Sequence, residues 1–547
     1  MTYARFAAII GMVALAIAVT IGSAQAAVED VLLEKGIITK EDWLKIKAEK
    51  EQEIKASKEK EPSPQTNAPP AAPSEPASST TPKEGELKVI EWEKEPTTGE
   101  LIAGSGFQKI RYKDVYLAPG GFVEATSIFR SANQNADVGS TYGNIPISGT
   151  ANSHLNEFRG TARQSRLSLL GEALTPGGAK VGAYVEFDFL GAAPTANEVE
   201  SNSFQPRLRQ FFANADFANG VSVMAGQGWT LLTTHRQGLK PRSEFIPYTI
   251  DAQYVVGYNW ARQAQLRVTK DFGSGVWGAF SIENPETNVG GVVLPVGVQG
   301  FNGSANAQSP SSQFTTSGTP GAGGLSTDTA PDLIGKMVFE PGWGHWEIKA
   351  LGRFFRDRLN GNNQSAFGGG IGGAAFLPIA PTLDLIAEGL VGSGIGRYAA
   401  AVGPDVAAGP DGRVVPIRSF QIMTGLEWHP SSAWDIYAYY GLEYYERTAL
   451  NGANIGYGSP GADLSGCAVE IPGTCQAANK TVSQIQPGFW YRIFQGRMGT
   501  GAIGMSFSYT QRQIWSGQNS TLGLGPGNFQ PRAEENMVMT SFRYYLP

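Results

Sequence analysis

Three stretches place cationic side chains where extended structure would align them. Arg166 lies in phase with Gln164 and out of phase with Leu167 and Leu169. Arg207 and Arg209 share one face, with Leu208 on the other. In "QAQLRVTK", Gln263, Gln265 and Arg267 alternate against Ala264, Leu266 and Val268. Guanidinium groups stay charged and grip carboxylates or phosphates with two parallel hydrogen bonds. A row of them along a water-filled wall biases that wall towards anions. Two carboxylates stand in a matching position, Glu186 and Asp188 in "VGAYVEFDF". The arginines could equally pair with these and stiffen the wall, and the sequence leaves both readings open.

Catalytic chemistry finds little support. The four histidines (His154, His235, His345 and His429) show no HExxH or similar spacing. No GxSxG motif or phosphate-cradling loop stands in a strand–turn–helix setting. His235, in the loop "LTTHRQGLKPRSEFIPYTIDAQ", is the one plausible candidate, so no enzymatic activity, cofactor or metal is expected. That loop is nonetheless basic, carrying Arg236, Lys240 and Arg242 against Glu244 and Asp251. Cys467 and Cys475 share one long loop, which in an exported chain reads as a stapling disulfide.

Export is indicated by residues 1–26. Arg5 precedes an apolar run from Phe6 to Ile21, and "SAQA" then supplies the small-x-small form of a cleavage site. No later segment has the roughly 18 uninterrupted apolar residues of a membrane-spanning helix. Composition changes sharply along the chain, whose net charge is −6. Residues 27–100 hold 17 acidic and 11 basic residues, every base a lysine, whereas beyond them arginine dominates. Within 27–60, Thr39 and Asp42 resemble a capping pair that starts a helix at Lys40. Trp43, Ile46, Lys47, Lys50 and Ile54 form a loose stripe along it, suited to a short oligomerising coiled coil or to a solvated helix. Residues 61–105 are Pro/Ser-rich and read as an extended linker.

The remainder, 106–547, alternates apolar and polar residues in segments of about ten, the length of a strand crossing a bilayer. Sixteen such segments are expected near 120–130, 159–171, 180–189, 206–216, 221–231, 254–270, 276–283 and 332–340, then 345–356, 366–377, 382–392, 418–428, 434–446, 483–494, 501–513 and 536–546. Tight turns such as "TPGG" and "FANG" alternate with long loops, chief among them 284–331 and 447–482. With 69 glycines and only 17% charged residues, the chain lacks the long apolar runs of a large soluble core. A soluble β-sandwich would need a second sheet over each apolar face. The expected fold is therefore all-β, a 16-stranded antiparallel transmembrane β-barrel preceded by a short α-helical segment. Val185, Phe187, Ile422 and Leu426 then meet lipid, while Glu186, Asp188 and Glu427 face the lumen. At the C-terminus Phe542 and Tyr544 face outwards and Arg543 inwards.

The segments "ARQSRLSLLGEALTPGGAKVGAYVEFDFLG", "PRLRQFFANADFANGVSVMAGQGWT" and "ARQAQLRVTK" resemble the early strands of the DcaP-like trimeric outer-membrane porins, a branch near the phosphate-selective porins. The resemblance is specific over about 160–270 and architectural elsewhere. It implies a homotrimer in the bacterial outer membrane, contacting lipid and lipopolysaccharide, with the helix in the periplasm. The solutes implied are small anions such as dicarboxylates, and no nucleic acid. It also implies that loop 231–253 folds inward as a constriction. The Pro-rich linker, the Leu-Pro ending and the two longest loops depart from the family pattern. The rival reading is a receptor or adhesin whose long loops bind a partner, which an occluded lumen would favour.

Overall fold

In the computed structural model, the described residues are the backbone of 88–90 and then 109–191, 205–291, 328–357, 363–409, 413–448, 456–470 and 475–547. All belong to the unit spanning 82–547. The expected leader, the helix at 27–60 and nearly all of the linker lie outside them.

Sixteen antiparallel strands close into a barrel. They are β1 (Val115–Arg130), β2 (Arg166–Leu174, with Glu157–Thr161 as its outer half), β3 (Lys180–Gly191), β4 (Gln205–Asp216), β5 (Val221–Trp229), β6 (Arg262–Gly273), β7 (Val276–Glu283) and β8 (Asp332–Phe339). Then follow β9 (His345–Asp357), β10 (Gln364–Ala380), β11 (Leu383–Ser393), β12 (Arg418–Ser431), β13 (Trp434–Tyr445), β14 (Asn479–Gly496), β15 (Gly499–Ile514) and β16 (Arg532–Tyr545). Each pairs with its neighbours in sequence, and β16 returns to β1 in a register running from Met537↔Arg130 to Tyr545↔Phe122. Closure leaves no unpaired edge in the wall, the condition for a sheet to cross hydrocarbon. Before β1, Lys88–Ile90, inside the segment expected to be linker, pairs with Lys109–Tyr112 at the start of the segment expected to be barrel.

Alternation along each strand settles which face is apolar. On β12, Ile422, Leu426 and Trp428 are exposed while Gln421, Met423 and Glu427 are buried. On β6, Leu266 is 49% exposed and its neighbour Arg267 only 1%. On β16, Phe542 is exposed and Arg543 buried. The greasy face is the outside, as the sequence predicts, and lipid removes the cost that water would impose on it. No helix among the described residues is long and apolar enough to span a membrane.

Two expected strands differ from the observed ones. The stretch read as 159–171 is broken at 162–165, where Arg163 leaves the ladder to pair with Asp137 at 2.6 Å and to donate to the Phe189 and Gly191 carbonyls. The stretch read as 254–270 begins its ladder only at Arg262. Residues 254–261 alternate as a strand would, but Tyr254 and Gly257 take positive φ and the segment packs inside the barrel. The core is luminal. Phe245, Ile250, Tyr258 and Trp260 of the loop after β5 pack against Trp229, Tyr437, Tyr439, Trp490 and Met539 of the wall.

Candidate functional site: the luminal constriction

The β5–β6 loop, residues 230–261, crosses the lumen. On one side four glutamates of the wall strands accept its backbone N–H groups, among them Glu283 of β7, which takes that of Leu231 at 2.9 Å. Glu347 on β9 takes that of His235 at 2.7 Å, Glu388 on β11 that of Asn259 at 2.8 Å, and Glu443 on β13 that of Gly257 at 2.8 Å. Lys336 and Lys349 donate to the Thr233 and Leu232 carbonyls, and Trp490 Nε1 to that of Tyr248. Ionised partners make such bonds roughly twice as strong as neutral ones. On the other side, Gln164 Nε2 donates to the Ile250 carbonyl at 2.5 Å. The approach is close enough to require glycine. A Cβ on Gly441 of β13 would stand 1.6 Å from the Val256 carbonyl oxygen, and one on Gly257 1.9 Å from that of Ile422.

The arginines expected in the lumen divide by location. Glu186, Asp188, Arg166, Arg207 and Arg209 form one cluster on β2–β4. Arg207 grips Asp188 with Nε at 3.0 Å and Nη2 at 2.7 Å. Arg209 bridges Glu186 at 2.5 Å and Asp188 at 3.0 Å, and Arg166 lies 3.8 Å from Glu186. Cross-pairing is therefore real, though three guanidinium groups share two carboxylates. Arg267 lies apart, buried beneath the loop, bonded to Gln265 and the Trp229 carbonyl and 3.8 Å from Glu244.

The basic residues of the loop do not gather at one point. Arg236 reaches the wall that carries Glu388 and Glu443 and meets Glu427 of β12 at 3.0 Å. Lys240, half exposed, lies 3.3 Å from Asp216 near the short-turn rim, and Arg242 stacks over Tyr184. In the two-cysteine loop, Cys467 and Cys475 are joined as a disulfide.

Between the loop and the arginine cluster lies a cavity of about 40 Å³, whose wall includes Gln164, Arg166, Arg209 and Arg543. Asp251 is the one carboxylate among its described lining residues, and burial pushes that carboxyl up from its ordinary range. Arg543 was legible as luminal, but not as a member of this group. It reaches the site from β16, ion-paired with Glu124 at 3.1 Å and stacked over Phe122 and Trp490. Arg262, held between Trp229 and Trp260, was not singled out in the sequence. Its signal was its position at the head of the Gln263–Arg267 strand, obscured by the strand expected across 254–270.

Deeper in the loop, His235 is fully buried, with Nδ1 3.3 Å from Lys336 and 3.5 Å from Glu347. Burial, reinforced by the Lys336 charge, holds its imidazole down at about 3. Glu244, 3.9 Å away, is pushed up by burial. A neutral histidine in a network of lysines and glutamates is structural chemistry: it offers no nucleophile beside a base.

Among solved structures, the chain is similar to the outer-membrane channel DcaP of Acinetobacter baumannii, with a TM-score of 0.55 and 16% identity over 79% of this chain and 97% of that one. An anion-selective porin from Comamonas acidovorans aligns more loosely, at a TM-score of 0.42 and 12% identity over 79% of this chain and all of its own. No protein-family model matches the sequence, and no curated protein matches it. At these identities the likeness concerns the fold, and the DcaP-like barrel expected from the sequence is the one observed.

Proposed function

We propose that this chain, which has the fold of the DcaP channel, is an outer-membrane porin for small hydrophilic solutes with a preference for anions. The observation that carries this reading is the arginine side of the constriction. Residues from three separated strands and the break in β2 bring Arg166, Arg209, Arg543 and Gln164 to one gap beside the loop, where Asp251 is the one carboxylate among the described lining residues. Glu186, Asp188 and Glu124 pair with these guanidinium groups from within the wall. The facing wall spends its glutamates holding the loop. An anion crossing the gap meets fixed guanidinium charges whose planar forks suit carboxylates, which supports dicarboxylates as the solute class. Assembly as a homotrimer amid lipid and lipopolysaccharide belongs to the same reading, as does a helix on the periplasmic side.

The test is single-channel recording of the purified protein in a planar bilayer under a KCl gradient. Expected are anion-selective steps, arriving in threes. One unit charge 4 Å from a passing ion is worth about 1 kcal/mol in a water-like dielectric, roughly fivefold in partition. Arg543→Ala should therefore lower the anion-to-cation permeability ratio by about that factor, read as a shift of the reversal potential towards cations. A cation-selective wild type would overturn the reading. The narrowness of the gap favours a second one, in which the barrel is a mount for loops that bind a partner. A silent channel would support that alternative.

A further inference from the structure

One cluster of ligating side chains lies outside the constriction, at the short-turn end of the lumen. Asp384 near the start of β11 stands opposite Glu427 of β12 in the strand register. His429 follows two residues later, so alternation puts it on the same luminal face. One ligand atom from each of the three lies within 4.8 Å of the others. From the next strand, Asp435 Oδ1 holds His429 Nδ1 at 2.7 Å. With the Nδ1 proton given to Asp435, the Nε2 lone pair faces Asp384 Oδ2 across 3.7 Å. An imidazole held in that tautomer turns an acceptor towards a carboxylate, a pair of donor atoms that one cation can bridge. Glu427 completes the set from below. It is fully buried, and its Oε2 has no hydrogen bond of its own, although the Arg236 guanidinium lies 3.0 Å away.

We propose that Asp384, Glu427 and His429 bind a divalent cation of the zinc class, with Asp435 as the positioning residue that fixes the imidazole. One imidazole and two carboxylates make a donor set for zinc and its neighbours rather than for magnesium or calcium. Metal–ligand bonds of about 2.0–2.2 Å in tetrahedral geometry place donor atoms roughly 3.4 Å apart, within a small side-chain adjustment of the 3.7 Å gap. A carboxylate on the far ring nitrogen is the usual way a ligating histidine is oriented. The His429 and Asp384 side chains are 27% and 20% exposed, which gives an ion its path of entry and leaves room for a coordinated water. Locally three carboxylates face two guanidinium groups, Arg236 and Arg492, leaving one negative charge for the cation to neutralise. Because Glu427 also anchors Arg236, an ion here loosens one tie of the constriction loop. Binding itself does not depend on whether the barrel conducts.

Calorimetric titration of the untagged full-length protein in detergent with zinc chloride alone tests this. The expected result is saturable uptake of one zinc per chain, weakened about 100-fold by His429→Ala and about tenfold by Asp435→Asn. Asp384→Asn, at a partly exposed strand end, serves as a second ligand variant if His429→Ala fails to assemble. Cobalt titration should give the visible absorption of a tetrahedral site, lost in the same variants. No saturable uptake, or uptake that His429→Ala and Asp384→Asn leave unchanged, overturns the proposal.

Discussion

Removing the guanidinium of Arg236 should release the constriction loop. Arg236 is the charged side chain by which the loop itself grips the wall that also supplies Glu388 and Glu443, with Nη2 3.0 Å from Glu427 Oε2 and 3.3 Å from Oε1. Its guanidinium also lies about 5 Å from the rings of Phe245, Tyr248 and Phe376. In Arg236→Ala the buried Glu427 keeps only the Tyr439 hydroxyl, at 2.5 Å. Stranding one partner of a buried ion pair costs about 3–5 kcal/mol. Swinging the loop outwards lets water reach Glu427 and recovers much of that cost. Taking about 3 kcal/mol as the bias, the ratio of released to docked loop rises roughly 150-fold, since each 1.4 kcal/mol is a factor of ten. Two assays read this out: trypsin cleavage after Arg242 in micelles, and single-channel conductance. Cleavage follows the open population when reclosing is fast, so its rate should rise by about two orders of magnitude, and conductance should rise with it. Adding Glu427→Gln removes the stranded charge and should restore most of the protection. Unchanged cleavage and conductance in Arg236→Ala, or no recovery in the double variant, would refute the electrostatic anchor.

Gly441→Ala should act on the same loop sterically. Its Cβ collides with the Val256 carbonyl and breaks the Gly257–Glu443 bond, costing about 1–3 kcal/mol, visible as a lower thermal midpoint and faster cleavage after Arg242. Acid should weaken docking through His235. Buried among Lys336, Glu347, Arg267 and Glu244, it stays neutral down to about pH 3, whereas in a released loop it takes a proton near 6.5. The released form thus binds more protons between those values, so the contribution of His235 is complete above pH 6.5 and is lost as pH falls. Glu244 and Asp251, both raised by burial, oppose this, so the clean measurement is the difference from His235→Asn. Relative to that variant, wild-type docking should weaken by about 2 kcal/mol between pH 6.5 and 5. On the outer face, Leu266→Arg should lower stability in lipid vesicles by about 2–4 kcal/mol, and Leu266→Phe should be nearly neutral. Equal midpoints for the two would contradict the assignment of that face to lipid.

Alternation is a local property, and what rests on it was readable in the one-dimensional text. The sixteen strands, the outward Leu266, Ile422 and Phe542, and the inward Glu186, Asp188, Glu427 and Arg543 all follow from period two once the apolar face is read as the outer one. Turn chemistry marked the two rims in the same way. The constriction was not written locally. Tyr254, Val256, Tyr258 and Trp260 alternate like a strand, and only the positive φ at Tyr254 and Gly257, with a lumen waiting to be filled, makes them a plug instead. The choice of partner was likewise beyond sequence phase. Arg543 joins Arg166 and Arg209 because β16 closes onto β1, more than 300 residues away along the chain. Glu388 and Glu443 could have lined water, yet they hold the backbone of the loop. Which face a side chain takes is set by its immediate neighbours, but which charge it meets depends on barrel closure and on where one long loop comes to rest. Those are long-range contacts that only the tertiary structure decides.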